Sequence, residues 1–219
     1  MAAPTDPTTP TPGEETRRRL VDSGLREFAE RGVHAASLLD IGRRAGQRNR
    51  GAVHYHFGSR EGLLVAIIEE QVALIADRER ELLASARTRP DNDLPSVVEA
   101  FVRPAVELAD QGWRGSCYLV ILCELVEDQP LSAHPDVVEA LQRAGGYEAY
   151  QLLERRMPPM PDQVRAERMS LTTSFILRAS ADRARAAERT TPTRSPLTTE
   201  AFIANLVSMA TAMLAAPVT

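Results

Sequence analysis

Apolar residues recur at helical spacing along most of this chain, and the clearest pattern lies within residues 37–60. Leu38, Ile41 and Ala45 fall at i, i+3 and i+7, which places them on one face of a helix. Ser37 comes directly before this stripe, where a hydroxyl can accept from the free amides of the first turn. The pattern therefore predicts a short helix that begins after Ser37.

A glycine, Gly46, ends this first pattern, and a second short helix is predicted after it, with Asn49 as its cap. The second helix is expected to bury three apolar side chains and to expose three polar ones. The first set is Ala52, Val53 and Phe57, and the second is Arg50, His54 and Tyr55. Two helices joined by a glycine-containing turn, the second with long polar side chains outside, are typical of a helix-turn-helix that reads DNA.

The rest of the chain is also expected to be helical. A first helix is predicted over residues 14–31, where Val21, Leu25 and Phe28 form a stripe, and a long helix follows over residues 60–84. Breaks that contain Pro or Gly separate further helical segments. Those segments are residues 94–110, 114–127, 136–156, 162–189 and 198–215. No alternating pattern of useful length is present, so the fold class is all-α.

Composition and charge divide the chain into unequal parts. The whole chain has a net charge of −4, but residues 14–64 contain ten Arg and seven acidic residues, net +3. Residues 65–219 contain sixteen Arg and twenty-two acidic residues, net −6. The positive part coincides with the predicted helix-turn-helix, which favours double-stranded DNA as its partner. All 26 basic residues are Arg, so a single Arg is weak support for a contact.

Three regions are predicted from these patterns. They are a Pro- and Thr-rich disordered tail at 1–12, a helix-turn-helix domain at 13–60, and a helical domain at 61–219. No signal peptide and no apolar run of membrane-spanning length is found, so no membrane partner and a cytoplasmic location are expected. No phosphate loop or nucleophile–base motif is present, and the Cys and His spacings fit no zinc site. We therefore expect no cofactor, no metal and no enzymatic activity.

Eight residues are candidates for contact with DNA: Ser37, Arg48, Asn49, Arg50, Gly51, His54, Tyr55 and Arg60. Arg50 is the candidate base reader, because a guanidinium can bond guanine O6 and N7 together. Ser37 and Asn49 are expected near phosphates at helix starts, and Tyr55 and Arg60 are placed for backbone oxygens. Arg48 extends the positive surface, and Gly51 adds little bulk at the groove.

These residues resemble a known family. Ser37-x-x-Asp40-Ile41, Ala45-Gly46 and the run from Arg50 to Leu64, RGAVHYHFGSREGLL, resemble the N-terminal domain of TetR-family transcriptional regulators over about residues 16–70. The resemblance implies a homodimer, usually a repressor, whose helical C-terminal domain binds a small-molecule effector that releases the operator. The turn is one residue longer than the family pattern, which bears on whether Arg48, Asn49 or Arg50 points at bases.

The resemblance also directs attention to two sets of C-terminal residues. Candidates for a ligand pocket are Phe101, Trp113, Cys117, Tyr118, Met157 and Met169, and Cys123 is a further one. Stripes near the C-terminus are candidates for a dimer interface, by analogy with the family's four-helix bundle. They comprise Leu171 and Phe175 on one helix and Phe202, Leu206, Met209 and Met213 on the last.

Two alternatives stay open. In one, the chain is a DNA-binding regulator without an effector, whose C-terminal domain only dimerises; a fully packed 94–189 region would favour it. In the other, the chain is an all-helical small-molecule-binding protein or enzyme, and residues 14–64 only pack against the rest. Salt-dependent binding to duplex DNA is expected of a regulator and not of this second alternative.

Overall fold

The computed structural model describes residues 11–127, 134–143, 146–187 and 197–218, and within these ranges all regular structure is α-helical. This confirms the all-α prediction. The helices are α1 Pro12–Arg31, α2 Leu38–Arg44, α3 Ala52–Phe57, α4 Arg60–Arg87, α5 Leu94–Asp110, α6 Trp113–Glu127, α7 Pro135–Arg143, α8 Gly146–Arg156, α9 Asp162–Ala187 and α10 Thr199–Ala215.

The first helix begins earlier than predicted. The Thr11 side chain accepts from the Glu14 amide at 3.2 Å, and the Glu14 carboxylate accepts from the Thr11 amide at 2.7 Å. This reciprocal capping box, with Pro12 in the first turn, starts the helix. The expected disordered tail at 1–12 is therefore wrong for Thr11 and Pro12, and residues 1–10 lie outside the described residues.

The second helix has the start and end that its sequence predicts. Ser37 Oγ accepts from the Asp40 amide at 3.2 Å, so Ser37 is the cap. At the other end Gly46 has φ +75°, a conformation that a glycine adopts without strain. The Gln47 amide then donates to Gly42 O at 2.9 Å, which closes the helix with the hydrogen bond of a Schellman turn. Local sequence is sufficient to define this element.

The three N-terminal helices rest on the start of α4 through two close approaches. A Cβ on Gly24 of α1 would lie 2.9 Å from Leu63 Cδ2, so α1 and α4 meet at this glycine. A Cβ on Gly62 would lie 2.0 Å from the Phe57 carbonyl oxygen, so the end of α3 sits directly on the first turn of α4. The position of α3 is therefore fixed by backbone packing against α4.

The C-terminal helices share one continuous apolar core with the N-terminal three. Helix α6 lies along α9 and also against α1, while α4 packs against α5 and α7. Helix α10 lies against α5 and α9. Thus α6 is in contact with both the N-terminal helices and the centre of the C-terminal ones.

The segment 136–156, expected as one helix, consists of two helices, α7 and α8. The sequence has two consecutive glycines here, Gly145 and Gly146, and glycine is unfavourable inside a helix by about 1 kcal/mol. Residues 144–145 lie outside the described residues. The last residue of α8, Arg156, is buried and donates to the carbonyl oxygens of Ala86 and Asp93, at 2.7 and 2.8 Å. This side chain ties α8 to the connection between α4 and α5.

Within the described residues, no helix combines the length and the apolar character that crossing a membrane requires.

Candidate nucleic-acid interface and internal cavity

Helix α3 has one buried and one exposed side, as its sequence predicts. Ala52 and Val53 are buried, whereas His54 and Tyr55 are exposed, Tyr55 to 83%. The His54 Nδ1 lies 2.9 Å from Gly58 O, which orients the ring at the end of the helix. A large aromatic side chain with this exposure contributes little to the chain's own core, and its hydroxyl faces outward.

The turn before α3 holds the three polar candidates Arg48, Asn49 and Arg50. Asn49 does not cap α3, contrary to the prediction: its Oδ1 accepts from the Gly51 amide at 2.9 Å, and α3 begins only at Ala52, with Gly51 as the cap residue. Asn49 thereby forms an Asx-type turn two residues along the chain. Arg50 consequently lies on the turn and not on the helix.

Two arginines of this turn carry unneutralised charge. Arg48 and Arg50 are exposed, and within the described ranges neither has an acidic partner. Arg44 of α2, in contrast, pairs with Glu30 at 3.2 Å and with Glu27 at 3.3 Å. Arg43 of α2 pairs with Asp40 at 3.3 Å. Among the arginines of α2 and this turn, those without an acidic partner in the described ranges therefore lie directly before α3.

Arg60, a predicted phosphate contact, has another role. Its Nη1 donates to Val33 O at 2.5 Å and to Ala36 O at 2.7 Å, both in the loop between α1 and α2. The side chain is only partly exposed because it lies across this loop. Arg60 is thus directed into the protein, which corrects its assignment as a DNA contact.

The same loop is held from the opposite side by a carboxylate of α6. Both oxygens of Glu124 accept from the Val33 amide, at 2.8 and 3.0 Å. Gly32 has φ +85°, and a Cβ there would lie 3.2 Å from Glu124 Oε1, so the carboxylate sits against the backbone. Val33 is therefore bonded through its amide to α6 and through its carbonyl to Arg60 of α4. Sequence reasoning missed Glu124, although it is the one charged residue between positions 115 and 126.

The start of α6 is also fixed to the N-terminal helices. The Arg26 guanidinium lies 4.0 Å from the centroid of the Trp113 ring. Arg114 pairs with Asp22 of α1 at 2.7 Å and with Glu70 of α4 at 3.2 Å. Trp113 is therefore part of the contact with α1, where it borders a small polar pocket together with Arg26. It does not line the larger cavity among the C-terminal helices.

A cavity of about 590 Å³ lies among helices α4 to α9. Phe101 and Tyr118 line it, as predicted, together with apolar residues such as Leu119, Leu122 and Leu141. The polar side chains of its wall are Glu79, Tyr118, Gln142, Tyr150, Ser170 and Thr173. The size and the mostly apolar wall with a few polar groups match small-molecule sites, which span roughly 300–1,000 Å³.

Three other candidate pocket residues, and Cys123, are not in this wall. Cys117 and Cys123 lie on other sides of α6 than its cavity-facing residues. Met157 and Met169 are 7% and 2% exposed and belong to the packed core. The structure places these four residues outside the wall of this cavity. A soft or aromatic side chain on an apolar helix fits a core as well as a cavity, and residue type alone does not give the helical phase.

Glu79 is the charged residue of the cavity wall. It is 5% exposed, and its buried Oε1 has no hydrogen-bond partner among the described residues. Burial, and to a smaller extent the Glu148 carboxylate, raises the pKa of Glu79 to about 7. Burial, followed by the Glu79 carboxylate, also raises the pKa of Tyr118 above its ordinary value. Glu79 follows the buried Val72 by seven positions and precedes Leu83 by four, so helical periodicity could have identified it.

Helices α9 and α10 expose part of their apolar surface. Leu171 and Met209 are 55% and 46% exposed, and Phe175 and Met213 are half-buried. Leu206, predicted on the same face, is only 2% exposed, so it is a residue of the chain's own core.

Phe202 has a partner within the chain, because the Arg183 guanidinium lies 4.8 Å from its ring centroid. The face available to another molecule is therefore smaller than the predicted one.

No group of three or more His, Cys, Asp or Glu side chains able to share a metal ion occurs in the parts of the chain that the structure describes.

Comparison with known proteins places this geometry in a family. A family model described as bacterial regulatory proteins, tetR family, matches residues 20–67, which contain α2, α3 and the loop held by Glu124. A second, described as tetracyclin repressor-like, C-terminal domain, matches residues 99–213, more than half of the chain. The chain belongs to the TetR family.

Individual relatives agree with this assignment to the TetR family. The transcriptional regulator SrpR of Pseudomonas putida is 44% identical over 55 residues, 25% of this chain and 25% of SrpR. The transcriptional regulator AcrR of Shigella flexneri is 28% identical over 146 residues, 66% of this chain and 63% of AcrR. The chain thus spans from a quarter to just under two thirds of the length of these curated relatives.

Solved structures share the fold at low sequence identity. A mutant of HlyIIR has a TM-score of 0.57 and 14% identity, and the match covers 91% of this chain and 97% of that one. AibR, in complex with isovaleryl coenzyme A and operator DNA, has a TM-score of 0.51 and 18% identity, covering 89% and 97%. At these identities the likeness concerns the fold alone.

Replacing Glu124 tests the contact between α6 and the α1–α2 loop. Glu124→Ala leaves the Val33 amide without its partner, and we expect the unfolding free energy in urea to fall by about 1–3 kcal/mol. Exchange of the Val33 amide should also become faster. Glu124→Gln keeps an acceptor oxygen and serves as the control with a smaller loss. Unchanged amide exchange in the alanine variant would contradict this role.

The raised pKa of Glu79 predicts a specific pH dependence of stability. The folded protein holds the proton up to about pH 7, whereas the unfolded chain releases it near the ordinary value of 4.5. The stabilisation is therefore complete below the unfolded pKa and is lost as pH rises through the folded one, by up to about 3 kcal/mol. Urea unfolding of the wild type and of Glu79→Gln across this window measures it. The difference in unfolding free energy between the two should vary with pH; a constant difference would show that Glu79 ionises normally.

Proposed function

We propose that this protein is a homodimeric DNA-binding transcriptional regulator, a repressor that a small-molecule effector releases from its operator. The observation that carries the proposal is the arrangement around α3. This helix is seated on α4 by backbone contact, and it exposes His54 and Tyr55. Arg48 and Arg50, which have no acidic partner among the described residues, lie directly before it. A supported short helix with exposed aromatic and cationic side chains suits the major groove.

Within this interface we assign separate roles to the exposed residues. Arg50 is the base reader, because its guanidinium has no competing acidic partner in the described part of the chain and can take two acceptors of guanine. Tyr55 donates its hydroxyl to a phosphate oxygen, and Ser37 at the start of α2 lies near the DNA backbone. Arg48 and His54 extend the contact surface. Arg60 is excluded from this set because it bonds the α1–α2 loop.

Helix α6 is the proposed connection between the cavity and the DNA-reading helices. Tyr118 and Leu122 of α6 line the cavity, and Glu124 on the same helix holds the Val33 amide. A ligand that shifts α6 therefore moves a direct anchor of the loop that leads into α2. Such a shift changes affinity for DNA only if the ligand binds the two arrangements differently.

The homodimer is proposed from the exposed apolar side chains of α9 and α10. Leu171 and Met209 are about half exposed, although both are large apolar side chains, and Phe175 lies on the same side of α9 as Leu171. An isologous contact between two such faces buries them and yields two copies of α3. Two recognition helices suit half-sites one DNA turn apart, about 34–36 Å.

The two alternative functions are weaker. A regulator without an effector fits a fully packed C-terminal region, and a cavity of about 590 Å³ lies there instead. A small-molecule-binding protein or enzyme without DNA affinity gives no reason for the exposed Tyr55 and the unpaired Arg50 beside it. Family membership adds to the case for a regulator.

Binding to a duplex from upstream of the protein's own gene tests the DNA-binding role. We expect log affinity to fall linearly with log salt concentration. Arg50→Ala should weaken operator binding by about 1–3 kcal/mol and reduce discrimination against non-specific DNA. Tyr55→Phe should weaken binding to both DNAs alike. Arg155→Ala removes the same charge from an exposed position on α8 and is the control. No salt-dependent binding by the wild type would refute the proposal.

Charge placed on the exposed apolar face tests the dimer. Leu171→Arg and Met209→Arg should each shift the protein from dimer to monomer in sedimentation velocity, because an interface would bury the new guanidinium without a partner. Operator affinity should fall by more than about tenfold when two linked contacts become one. Leu74→Arg makes the same change at an exposed leucine of α4 and should leave the dimer intact. A dimer that survives both substitutions would place the interface elsewhere.

A further inference from the structure

The cavity wall contains an ionisable group that the fold leaves uncompensated. Glu79 projects from α4 into a wall formed mainly by apolar side chains, and its Oε1 is buried without a hydrogen-bond partner in the described part of the chain. A buried carboxylate that lacks a partner costs free energy, whereas an amide or an apolar side chain of similar size would avoid most of that cost. Packing alone therefore does not account for a glutamate here.

The neighbouring arginines of α4 do not neutralise Glu79. Arg78 pairs with Glu81 at 2.6 Å and with Glu107 at 3.2 Å, and Arg80 pairs with Asp77. The charge that acts on Glu79 most clearly is another carboxylate, Glu148. The potential at this part of the wall is therefore negative.

Among the described residues, the remaining wall offers no cation to a ligand. Apart from Glu79, the described lining residues are apolar or carry neutral hydroxyl and amide groups. A ligand with a carboxylate or a phosphate would find no opposite charge here and would meet the Glu79 carboxylate. A ligand with a protonated nitrogen would pair with Glu79, and the rings of Phe101, Tyr118 and Tyr150 are aromatic surfaces that favour a cation.

We propose that the effector of this regulator is an amphipathic amine, whose apolar body fills the cavity and whose protonated nitrogen pairs with the Glu79 carboxylate. The inference rests on the proposed function, because it names the chemical class of the effector in the same cavity. The apolar body contacts side chains such as Leu119 and Leu122 of α6, the helix that holds the α1–α2 loop through Glu124. The protonated nitrogen of the ligand gives the cavity its preference for amines, and the apolar body of the ligand contacts α6.

Three probes that share one apolar body isolate the contribution of charge: 4-phenylbutylamine, 4-phenylbutan-1-ol and 4-phenylbutyrate. Their binding to the full chain is measured by calorimetry at about pH 8, where the amine is protonated and Glu79 is mostly ionised. The titratable groups that face Glu79 are Tyr118, which stays neutral at this pH, and Glu148. We expect the amine to bind at least about tenfold more tightly than the alcohol, and the carboxylate to bind most weakly.

Two variants assign the preference to Glu79. Glu79→Gln keeps the shape of the side chain and should reduce the advantage of the amine over the alcohol to less than about twofold. Glu81→Gln removes a charge two residues away on the exposed side of α4 and should leave the full preference. An amine that binds no better than the alcohol, or a preference that survives Glu79→Gln, would overturn the inference.

Binding to duplex DNA is measured on the same protein preparation without any probe. Salt-dependent DNA binding together with absent amine preference would reject the amine effector and leave the regulator proposal standing. Absent DNA binding together with a Glu79-dependent amine preference would reject the regulator and retain the amine site. The two failures are therefore distinguishable.

Discussion

The loop between α1 and α2 is held by hydrogen bonds from two other helices, and the positions of the DNA-reading elements depend on it. Val33 donates its amide to Glu124 of α6 and accepts from Arg60 of α4 with its carbonyl, so one peptide segment connects three parts of the chain. Both partners are charged, and hydrogen bonds to charged groups contribute about 1.5–3 kcal/mol, more than neutral ones. Helix α2 begins five residues after Val33, so its orientation follows that of this loop.

Helix α6 meets two requirements that oppose each other. It is fixed to α1 by Arg114 at one end and to the α1–α2 loop by Glu124 near the other, which favours rigidity. Its middle turns, which include Tyr118 and Leu122, face a cavity and lack the packing that a filled core would supply. The incomplete packing there and the buried carboxylate of Glu79 both lower the stability of the ligand-free protein. A ligand that fills the cavity and pairs with Glu79 raises this stability on binding. A helix that is anchored at its ends and incompletely packed between them is suited to respond to a ligand.

The sequence predicted features that depend on a few neighbouring residues and failed where distant partners decide. Ser37 was identified as a cap because the amide it accepts from lies three residues away. Arg60 was misassigned because its acceptors lie 24 and 27 residues earlier and only the fold brings them together. Leu206 was misplaced because two apolar stripes share α10, and periodicity does not tell which stripe faces the chain's own core. The burial of Glu79 could be predicted from its helical spacing to Val72 and Leu83, but the many charged residues around it in α4 made this pattern hard to see.

The extended turn changes how base reading should be understood in this protein. Because α3 begins at Ala52, Arg50, the proposed base reader, lies on a turn whose shape depends on the Asx bond of Asn49 and on Gly46 at φ +75°. The direction of a side chain on a helix is set by the helix axis. The direction of a side chain on this turn depends on each of these local hydrogen bonds and backbone angles. The proposed discrimination by Arg50 is therefore coupled to the backbone conformation of residues 46–51. Tyr55, on the helix itself, does not depend on the turn in this way, which is why the two residues are expected to act differently.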